Sequence, residues 1–530
     1  MLAPADRSTL QPGFLSAIST QGDRIMRAKV IVVLTFLLFS VGSGLAGTET
    51  VLYSFTGGTD GAQPYLAGVI FDSAGNLYGV TQYGGAYNQG TVFKLTPSPG
   101  GTWTETVLYS FTGGADGANP QGGLATDGAG DFYGTTYAGG EDNDQCGTLF
   151  EINSGLQFSV LHTFDDMWKW DGYLLDACAP QADVKYSGGN IWGTTEYGGG
   201  VSEHGAAFAL FSDGIYRIWA LQGSNGAFPF GGLVTFGENN WAYGTSSYAA
   251  RRDGGNVFET VYDAEVRIVH PFKCSGKYGC SPAGDLATQV NENGVWVMYG
   301  ANMGGGSSNQ GTIYQLTQKP DTYWPYDEWT VSLLHSFSGS EGTYPYGGVV
   351  LGPTGAIYGT TYQGGTENSG TVFQLTPVAN NKWSLTVLYS FSGGTDGNAP
   401  TGSVVLDNAG NLYGTTNYGG AYGQGVVYEV TTAAATTTTL TSSPNPSTRG
   451  QAVTFTAVVA SSAGIPPDGE TVSFMKGKTT LGTGLLSGAS ASFTTSTLGS
   501  GTFPITAVYG GDPNFAASTS NVVEQVVTKP

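Results

Sequence analysis

A short pattern of one apolar residue, one aromatic residue and one glycine recurs along the chain. Its clearest copy lies in residues 411–416, which read Asn-Leu-Tyr-Gly-Thr-Thr. The pattern occurs seven times, and its apolar residue is Leu77, Phe132, Ile191, Ala242, Met298, Ile357 and Leu412. Short apolar runs surround each copy and alternate with Gly, Pro and Asn. This spacing is typical of short β-strands joined by tight turns.

The unit around the sixth copy predicts four strands, which we call A to D. Strand A covers 347–351, strand B 356–361, strand C 370–375 and strand D 383–391. Turn residues separate the strands, so the unit predicts one antiparallel meander. A four-stranded unit cannot bury both of its faces alone, whereas seven units packed radially can.

The number and the ends of the units predict an all-β fold, a seven-bladed β-propeller over residues 48–431. The third residue of the strand D motif recurs every 51 to 65 residues, close to the repeat length of propeller blades. The repeat begins with an isolated strand D at 48–55 and stops after a strand C at 428–430. We therefore expect the N-terminal strand to complete the last blade, a 3+1 ring closure.

The charge balance excludes two classes of partner. Charged residues make up 11% of the chain, glycine contributes 85 residues, and the formal net charge is −21. Nucleic-acid binding needs basic patches, and adhesion to anionic lipid needs positive charge. We therefore expect no nucleic-acid partner.

Residues 1–46 are predicted to be an N-terminal extension and a secretory signal peptide. Positive residues Arg24, Arg27 and Lys29 precede an apolar run at 30–41, and Gly44-Leu45-Ala46 is a small-residue cleavage site. The apolar run is shorter than the roughly 20 residues of a membrane-spanning helix. We therefore expect a secreted or cell-surface protein without a membrane span after cleavage.

Four cysteines in an exported chain predict disulfides, although four cysteines allow three pairings. Cys274 and Cys280 enclose a glycine-rich loop, and we expect them to close it. Cys146 would then pair with Cys178, and both fall on one face of adjacent blades. Free thiols are the alternative.

The repeat resembles a known family. Gly-Asn-Leu-Tyr-Gly-Thr-Thr at 410–416, Tyr-Gly-Gly at 418–420 and Gly-Val-Val-Tyr at 425–428 are similar to the GloVer tandem repeat of exported bacterial proteins. The resemblance covers roughly residues 48–431 and is strongest in blades 1, 2, 6 and 7. It implies an exported repeat protein and supplies no catalytic residues.

The C-terminal part has a different pattern. After an Ala- and Thr-rich linker at 432–440, alternating strands are predicted at 452–459, 471–474, 490–494 and 503–509. Ser-Ser-Pro-Asn-Pro at 442–446 and Ala-Val-Tyr-Gly-Gly-Asp at 507–512 resemble the bacterial Ig-like domains of group 3. The resemblance implies a β-sandwich over 441–530 that acts as a spacer or an adhesive module.

Blades 3 to 5 depart from the repeat and provide the candidate ligand-binding residues. The residue before the apolar run of strand A is Asp183 in blade 3 and Asp285 in blade 5, whereas this position is often Gly or Ser in other blades. Paired carboxylates can perform acid–base chemistry or bind a cation, and sequence drift is the alternative. The same sector contains the further candidates His204, Trp168, Trp170, Arg251 and Arg252. We expect any site to lie on the face formed by the B–C and D–A loops.

Three repeated groups have both a functional and a structural interpretation. His162, His270 and His335 replace the strand D aromatic residue and are expected to pack there. Glycine-rich loops containing Asp60, Asp116 and Asp396 offer oxygen ligands for Ca²⁺, or they are ordinary turns. Tyrosines after strand B can stack on sugar rings or pack between blades: Tyr83, Tyr137, Tyr197, Tyr362 and Tyr418.

These observations favour an exported, non-catalytic binding or adhesion protein. Its expected partner is an extracellular glycan or protein, and we expect a monomer with no cofactor other than, at most, Ca²⁺. One alternative is a secreted carbohydrate-active enzyme that uses the carboxylates of blades 3 to 5. A second alternative is a structural protein of the cell envelope.

Overall fold

The computed structural model describes most of the chain after the predicted signal peptide. The described residues are 47–98, 101–141, 145–165, 176–199, 204–236, 241–248, 254–261, 265–319, 328–380, 382–434, 436–461, 464–512 and 515–530. The predicted signal segment lies outside them. All regular structure in these residues is β-strand, and none of them forms a helix that could span a membrane.

Seven four-stranded antiparallel sheets occupy the described part of residues 48–431. Each has its strands in the order A-B-C-D. The strands of sheets 1 to 3 are Ile70–Phe71, Leu77–Thr81, Thr91–Ser98 and Thr102–Ser110; Ala125–Thr126, Phe132–Thr136, Thr148–Ile152 and Phe158–Thr163; and Lys185–Ser187, Asn190–Thr195, Ala206–Leu210 and Tyr216–Ala220. Two short strands, Ala177–Cys178 and Tyr197–Gly198, pair with each other. The first precedes strand A of sheet 3, and the second follows its strand B.

The other sheets repeat this order, and the last one uses the N-terminal strand. Sheets 4 to 6 contain Val234–Thr235, Ala242–Ser246, Asn256–Thr260 and Val266–Pro271; Cys280–Val290, Trp296–Gly304, Thr312–Gln318 and Trp329–Ser336; and Val349–Leu351, Ile357–Thr361, Thr371–Val378 and Lys382–Ser390. Sheet 7 contains Val405–Leu406, Leu412–Thr416, Val426–Thr431 and, as strand D, Thr48–Ser54. Thr48 pairs with Thr431, as the strand D at the start of the repeat predicts.

The recurring glycine makes room for an aromatic ring on the neighbouring strand. Gly359 of strand B pairs directly with Phe373 of strand C, and a Cβ at Gly359 would lie 2.8 Å from Cζ of Phe373. All seven sheets have this pair, whose aromatic members are Phe93, Phe150, Phe208, Phe258, Tyr314, Phe373 and Tyr428. Each of these rings is fully buried. The contact between the strand B glycine and the strand C ring therefore sets the packing of every sheet.

Apolar clusters link each sheet to the next and sheet 7 to sheet 1. One cluster joins Val427 of sheet 7 to Leu77 and Phe93 of sheet 1. Six further clusters join sheets 1 to 7 in consecutive pairs. The starts of strand A adjoin one another in the same order: a Cβ at Gly68 of sheet 1 would lie 2.9 Å from the Ser403 carbonyl oxygen of sheet 7. The strand A side of each sheet is therefore its inner side.

A threonine in strand B adds a hydrogen bond from one sheet to the next. Thr360 Oγ1 donates to the Gly402 carbonyl at 3.1 Å, and Thr415 Oγ1 donates to the Ala67 carbonyl at 2.6 Å. Thr194 and Thr245 make the same bond. The Thr415 bond connects sheet 7 to sheet 1, which lie at opposite ends of the repeat region in sequence.

Residues 436–528 form two further sheets around one apolar core. The first contains Thr436–Ser443, Val453–Ser461 and Ser490–Thr495. The second contains Ser447–Thr448, Val523–Thr528, Gly501–Tyr509, Thr471–Lys476 and Thr479–Leu485, with Ser518–Thr519 paired to the 501–509 strand. Strand 436–443 begins inside the predicted linker 432–440, because alternate residues Thr438 and Leu440 are buried in a run of β-branched threonines.

Replacing Gly359 by Ala should destabilise the protein. The new Cβ would meet the Phe373 ring and the Gly348 carbonyl oxygen, both within 3 Å, and overpacking of this kind costs about 1–3 kcal/mol. Gly339→Ala is the matched control, because its Cβ would meet only a Gln310 side chain at 3.7 Å. Urea unfolding of the two variants measures the difference; equal stabilities would contradict the packing argument.

Replacing Thr415 by Val should weaken the junction between sheets 7 and 1. The substitution leaves the buried Ala67 carbonyl without its 2.6 Å donor, which costs about 1–3 kcal/mol. Thr135→Val is the control, since the buried Thr135 hydroxyl has no partner among the described residues. We expect a lower melting temperature for Thr415→Val and an unchanged or higher one for Thr135→Val.

Candidate functional site

Both expected disulfides are present. Cys146 in the B–C loop of sheet 2 is bonded to Cys178 in the segment that leads into sheet 3, with their Cα atoms 4.5 Å apart. Cys274 is bonded to Cys280 across the glycine-rich loop that precedes sheet 5. The described residues contain no free cysteine. The first disulfide ties together loops of two neighbouring sheets.

Asp183 and Asp285 occupy equivalent positions on the inner side of sheets 3 and 5. The amide of Gly123 in sheet 2 donates to Asp183 Oδ1, and the amide of Gly232 in sheet 4 donates to Asp285 Oδ1 at 2.6 Å. Ser403, at the same position in sheet 7, donates its hydroxyl to the Gly347 carbonyl of sheet 6. The three side chains therefore connect sheets 3, 5 and 7 to the sheets that precede them.

The two carboxyl groups influence each other across sheet 4. A Cβ at Gly232 would lie 2.5 Å from the Asp183 carbonyl oxygen and 2.9 Å from Asp285 Oδ1, so Gly232 separates the two residues. Burial and the charge of Asp285 raise the pKa of Asp183 to about 8, against the opposing effect of the Gly123 amide. Burial also raises the pKa of Asp285. This arrangement favours at least one protonated carboxyl group at neutral pH.

Lys185 belongs to the same group, although the sequence analysis did not single it out. It is exposed, and its positive charge lowers the pKa of both Asp183 and Asp285. Lys185 follows Asp183 by two residues, so both side chains leave the same side of the extended chain. This period of two was the sequence signal that could have identified it.

The B–C loops contain two distinct positions for the tyrosines predicted to follow strand B. The first position directly follows strand B, and its backbone N–H donates to the carbonyl of the residue that precedes a proline in the D–A loop. Tyr137 donates in this way to the Asn119 carbonyl, and Tyr362 donates to the Tyr344 carbonyl. These two tyrosines are partly buried. Tyr83, Tyr197 and Tyr418 occupy the second position and are 38%, 41% and 40% exposed. The five residues therefore form two structural classes.

Tyrosines from several sheets converge on the same face. The ring of Tyr346 lies 5.7 Å from that of Tyr362, and the Tyr137 hydroxyl donates to Glu196 Oε2 at 3.1 Å. Burial, followed by interactions with Tyr346, Tyr362, Tyr418 and Glu196, raises the pKa of Tyr65. We call Tyr65, Tyr137, Glu196, Tyr346 and Tyr362 the tyrosine cluster. It draws side chains from sheets 1, 2, 3 and 6.

Three members of this cluster, Tyr65, Glu196 and Tyr346, were not predicted from the sequence. Tyr65 and Tyr346 each follow a proline, Pro64 and Pro345, at the entrance to strand A. Glu196 takes the first loop position, held by a tyrosine in two other sheets. An alignment of the seven units on the proline before strand A and on the end of strand B would have shown both positions.

The aspartates of the glycine-rich loops have partners inside their own turns. Asp60 accepts hydrogen bonds from the Tyr53 hydroxyl at 3.0 Å and from the Thr56 amide at 2.8 Å. Asp116 and Asp396 accept the equivalent bonds. Across the described ranges, no three His, Cys, Asp or Glu side chains group in a way that could hold a metal ion.

The predicted histidine candidates lie at separate places. His162 Nε2 is 2.8 Å from Asp176 Oδ2 and its ring stacks on Tyr216, while the His335 and His270 rings pack edge-on against the next phenylalanine of strand D. The His204 carbonyl accepts from the Phe228 amide, between sheets 3 and 4. The structure does not bring these residues to Asp183 and Asp285 through any described bond. Trp168, Trp170, Arg251 and Arg252 lie outside the described residues.

Replacing Asp183 by Asn should reduce the pH dependence of stability. Because the pKa of Asp183 rises from 3.8 to about 8 on folding, the folded protein binds the proton more tightly than the unfolded chain. The free energy of unfolding should therefore fall as pH rises through this window. The Asn oxygen can still accept from Gly123 and cannot ionise, so Asp183→Asn should be more stable than the parent at the alkaline end of this window.

Urea unfolding across the same pH window measures this effect. Asp213→Asn, in an exposed turn, controls for the loss of one negative charge. A stability gain for Asp183→Asn at the acidic end that equals its gain at the alkaline end would contradict the expected proton linkage.

Two family models match the chain. The Gloeobacter/Verrucomicrobia repeat matches residues 38–178 and 298–465, and the group 3 bacterial Ig-like domain matches residues 440–528. The first match omits 179–297, which contain Asp183, Asp285 and most of sheets 3 to 5. No curated protein matches the chain.

Several solved structures are similar at low identity. The extracellular domain of a hybrid two-component system from B. thetaiotaomicron is 11% identical, with a TM-score of 0.44. That match covers 92% of this chain, which spans 60% of the other chain's length. The soluble aldose sugar dehydrogenase of Escherichia coli is 14% identical over 59% of this chain and 96% of its own, with a TM-score of 0.31. AofleA from Arthrobotrys oligospora is 11% identical over 66% and 92%, with a TM-score of 0.33.

Proposed function

Because the chain belongs to the Gloeobacter/Verrucomicrobia repeat family and carries a group 3 bacterial Ig-like domain, we propose that it is an exported, non-catalytic binding protein. In this proposal the seven sheets are the blades of a β-propeller closed by strand Thr48–Ser54. The C-terminal sheets are an Ig-like sandwich that acts as a spacer. The ligand is a glycan, and the protein binds it as a monomer.

The observation that carries this proposal is a series of exposed tyrosines in the B–C loops. Tyr83, Tyr197, Tyr248 and Tyr418 are 38–42% exposed at equivalent positions. Tyr87 and Tyr422, in the loops of sheets 1 and 7, are 60% and 61% exposed. The aromatic residues that hold the sheets together are buried, so these tyrosines are not needed for the core. An exposed tyrosine offers an apolar ring face and a polar hydroxyl, which suits stacking on a sugar.

The electrostatics also favour a neutral ligand. The chain has a formal net charge of −21, which repels acidic polymers. The exposed tyrosines bring no charge of their own at neutral pH. Repetition of one weak contact around a face gives avidity for a polymer with repeated units. A neutral polysaccharide is not repelled by the negative chain, can stack on uncharged tyrosine rings and has repeated units.

A second candidate function, a carbohydrate-active enzyme, is favoured by the Asp183–Asp285 pair. Glycoside hydrolysis uses one protonated and one ionised carboxyl group, and the raised pKa of Asp183 supplies a proton at neutral pH. However, each carboxyl group already accepts a backbone N–H from a neighbouring sheet. That bond gives both residues a structural role without any substrate.

A glycan array probed with the purified full-length protein tests the binding proposal. We expect retention of neutral glycans, and about five- to tenfold weaker binding for Tyr83→Ala and for Tyr418→Ala, because each loses one stacking contact. Ile215→Ala is the control: this residue is 47% exposed in a C–D turn, which lies at the opposite ends of the strands. Parallel arrays with Ca²⁺ and with a chelator test whether the glycine-rich loops contribute.

Three outcomes would redirect this proposal. Release of reducing sugar from a bound glycan, abolished by Asp183→Asn, would favour the enzyme. Binding of a protein but of no glycan would keep the recognition face and change the ligand class. Absence of any ligand would favour a structural role in the cell envelope.

A further inference from the structure

We propose that the tyrosine cluster, together with Gln181 and Asn417, forms one central pocket that binds a single neutral sugar residue. This inference rests on the proposed glycan-binding function and adds a specific site to it. The exposed tyrosines of the B–C loops then act as outer contacts for the rest of the glycan.

Side chains of the cluster converge from several sheets. Tyr137 of sheet 2 donates to Glu196 of sheet 3 at 3.1 Å, and a Cβ at Gly402 of sheet 7 would lie 2.5 Å from the carbonyl oxygen of Ala67, two residues after Tyr65 of sheet 1. Tyr65 also interacts electrostatically with Tyr362 of sheet 6 and with Glu196 of sheet 3, although those sheets lie on opposite sides of sheet 1 in the cyclic order. Side chains from sheets that do not adjoin can meet only where the inner ends of the sheets converge. The cluster is therefore a single site, whereas the outer tyrosines recur at one position in four of the seven sheets.

Two buried polar side chains have an atom without a hydrogen-bond partner among the described residues. Gln181 is 4% exposed and Asn417 is 3% exposed, and within the described part of the chain neither Gln181 Nε2 nor Asn417 Oδ1 has a hydrogen-bond partner. An unsatisfied buried polar group costs about 1–3 kcal/mol. A ligand hydroxyl that accepts from Gln181 and another that donates to Asn417 would remove this cost.

The repeat places both groups beside the cluster. Gln181 follows Pro180 as Tyr346 follows Pro345. Asn417 takes the first B–C loop position, and its N–H donates to the Ala399 carbonyl as the N–H of Tyr362 donates to Tyr344. Because Tyr346 and Tyr362 contact each other in sheet 6, the same two positions should be neighbours in the other sheets, which puts Gln181 beside Glu196 in sheet 3 and Asn417 beside Thr401 in sheet 7. The Thr401 hydroxyl accepts from the amide of Leu66, the residue after Tyr65.

The chemistry of these groups fits a neutral sugar. Burial and Glu196 raise the pKa of Tyr137 to about 12, so its hydroxyl remains a donor at neutral pH. Glu196 is the one carboxyl group of the cluster and accepts from Tyr137. The cluster has no lysine or arginine that would attract a phosphate, a sulfate or a uronic acid. Phenols, carboxamides and ring faces match the hydroxyls and the apolar face of a pyranose.

The remaining sheets give the pocket an apolar side. At the position after the loop proline, sheets 4 and 5 carry Phe230 and Ala283, and at the first B–C loop position sheet 5 carries Met303. Sheet 4 carries Ser247 at that position, and its hydroxyl already donates to the Phe228 carbonyl. The polar groups proposed to bind the sugar therefore come from sheets 1, 2, 3, 6 and 7. A pyranose likewise has one face of C–H bonds and an edge of hydroxyls, which favours one orientation.

Calorimetric titration of the full-length protein with glucose, galactose, mannose and N-acetylglucosamine tests the pocket. We expect at least one to bind. Gln181→Met and Asn417→Leu should each weaken binding by about tenfold, the loss of one hydrogen bond. Tyr83→Ala, which changes an outer contact only, should leave monosaccharide affinity unchanged.

Thermal stability provides a readout independent of binding. Because Gln181 Nε2 and Asn417 Oδ1 are unsatisfied in the free protein, Gln181→Met and Asn417→Leu should hold or raise the melting temperature without sugar. They should also abolish the stabilisation that sugar gives the parent. A marked fall in melting temperature for both variants would show structural partners and overturn the inference.

The possible results separate the pocket from the general function. Monosaccharide binding that survives both inner substitutions but is lost in Tyr83→Ala would overturn the pocket and leave glycan binding intact. Binding of choline instead of any sugar would also overturn it, since the site would then be a cation cage. A protein that binds neither monosaccharides nor any glycan on the array would overturn both proposals.

Discussion

The contact between a glycine and an aromatic ring on adjacent strands governs this structure. Each strand B glycine lies opposite a buried Phe or Tyr of strand C, and the ring occupies the space that a Cβ would need. The ring can then reach the apolar cluster shared with a neighbouring sheet, as Phe373 does between sheets 5 and 6. One local requirement thus fixes both the packing within a sheet and the packing between sheets. This explains why the motif varies so little while the loops vary freely.

The fold was largely predictable because its signals are local and repeated. The order of strands, the N-terminal strand of sheet 7 and both disulfides followed from the pattern of residues and their spacing. The predicted linker was too long, because Thr436–Ser443 forms a strand whose alternation is carried by threonines rather than by large apolar residues. Threonine runs read as linker by composition, but their β-branched side chains suit a strand.

The candidate site was less predictable because it depends on contacts between residues of different sheets. Asp183 and Asp285 stand out in the sequence, yet their bonds to the amides of Gly123 and Gly232 could not be read from it. Tyr65 and Glu196 are 131 positions apart in the chain and interact only because the inner ends of the sheets converge. Local patterns locate the strands, whereas the closure of sheet 7 onto sheet 1 determines which loop residues become neighbours.

Closure also turns a repeated scaffold into an asymmetric site. Seven equivalent positions surround the inner ends of the strands, and identical residues there would give a symmetric surface with no preferred ligand orientation. The chain instead places Asp, Ser or Gly at the start of strand A and Gln, Tyr, Glu, Ser, Met or Asn after strand B. Ser403 and Asp183 show that some of this variation satisfies the backbone of a neighbouring sheet. Gln181 and Asn417 differ from these two residues, because their buried polar atoms satisfy nothing described in the free protein. Other buried polar atoms, such as the Thr135 hydroxyl, share that property, but Gln181 and Asn417 occupy the repeat positions that supply the tyrosine cluster in other sheets. Their positions in the repeat, rather than their burial alone, connect them with the proposed ligand site.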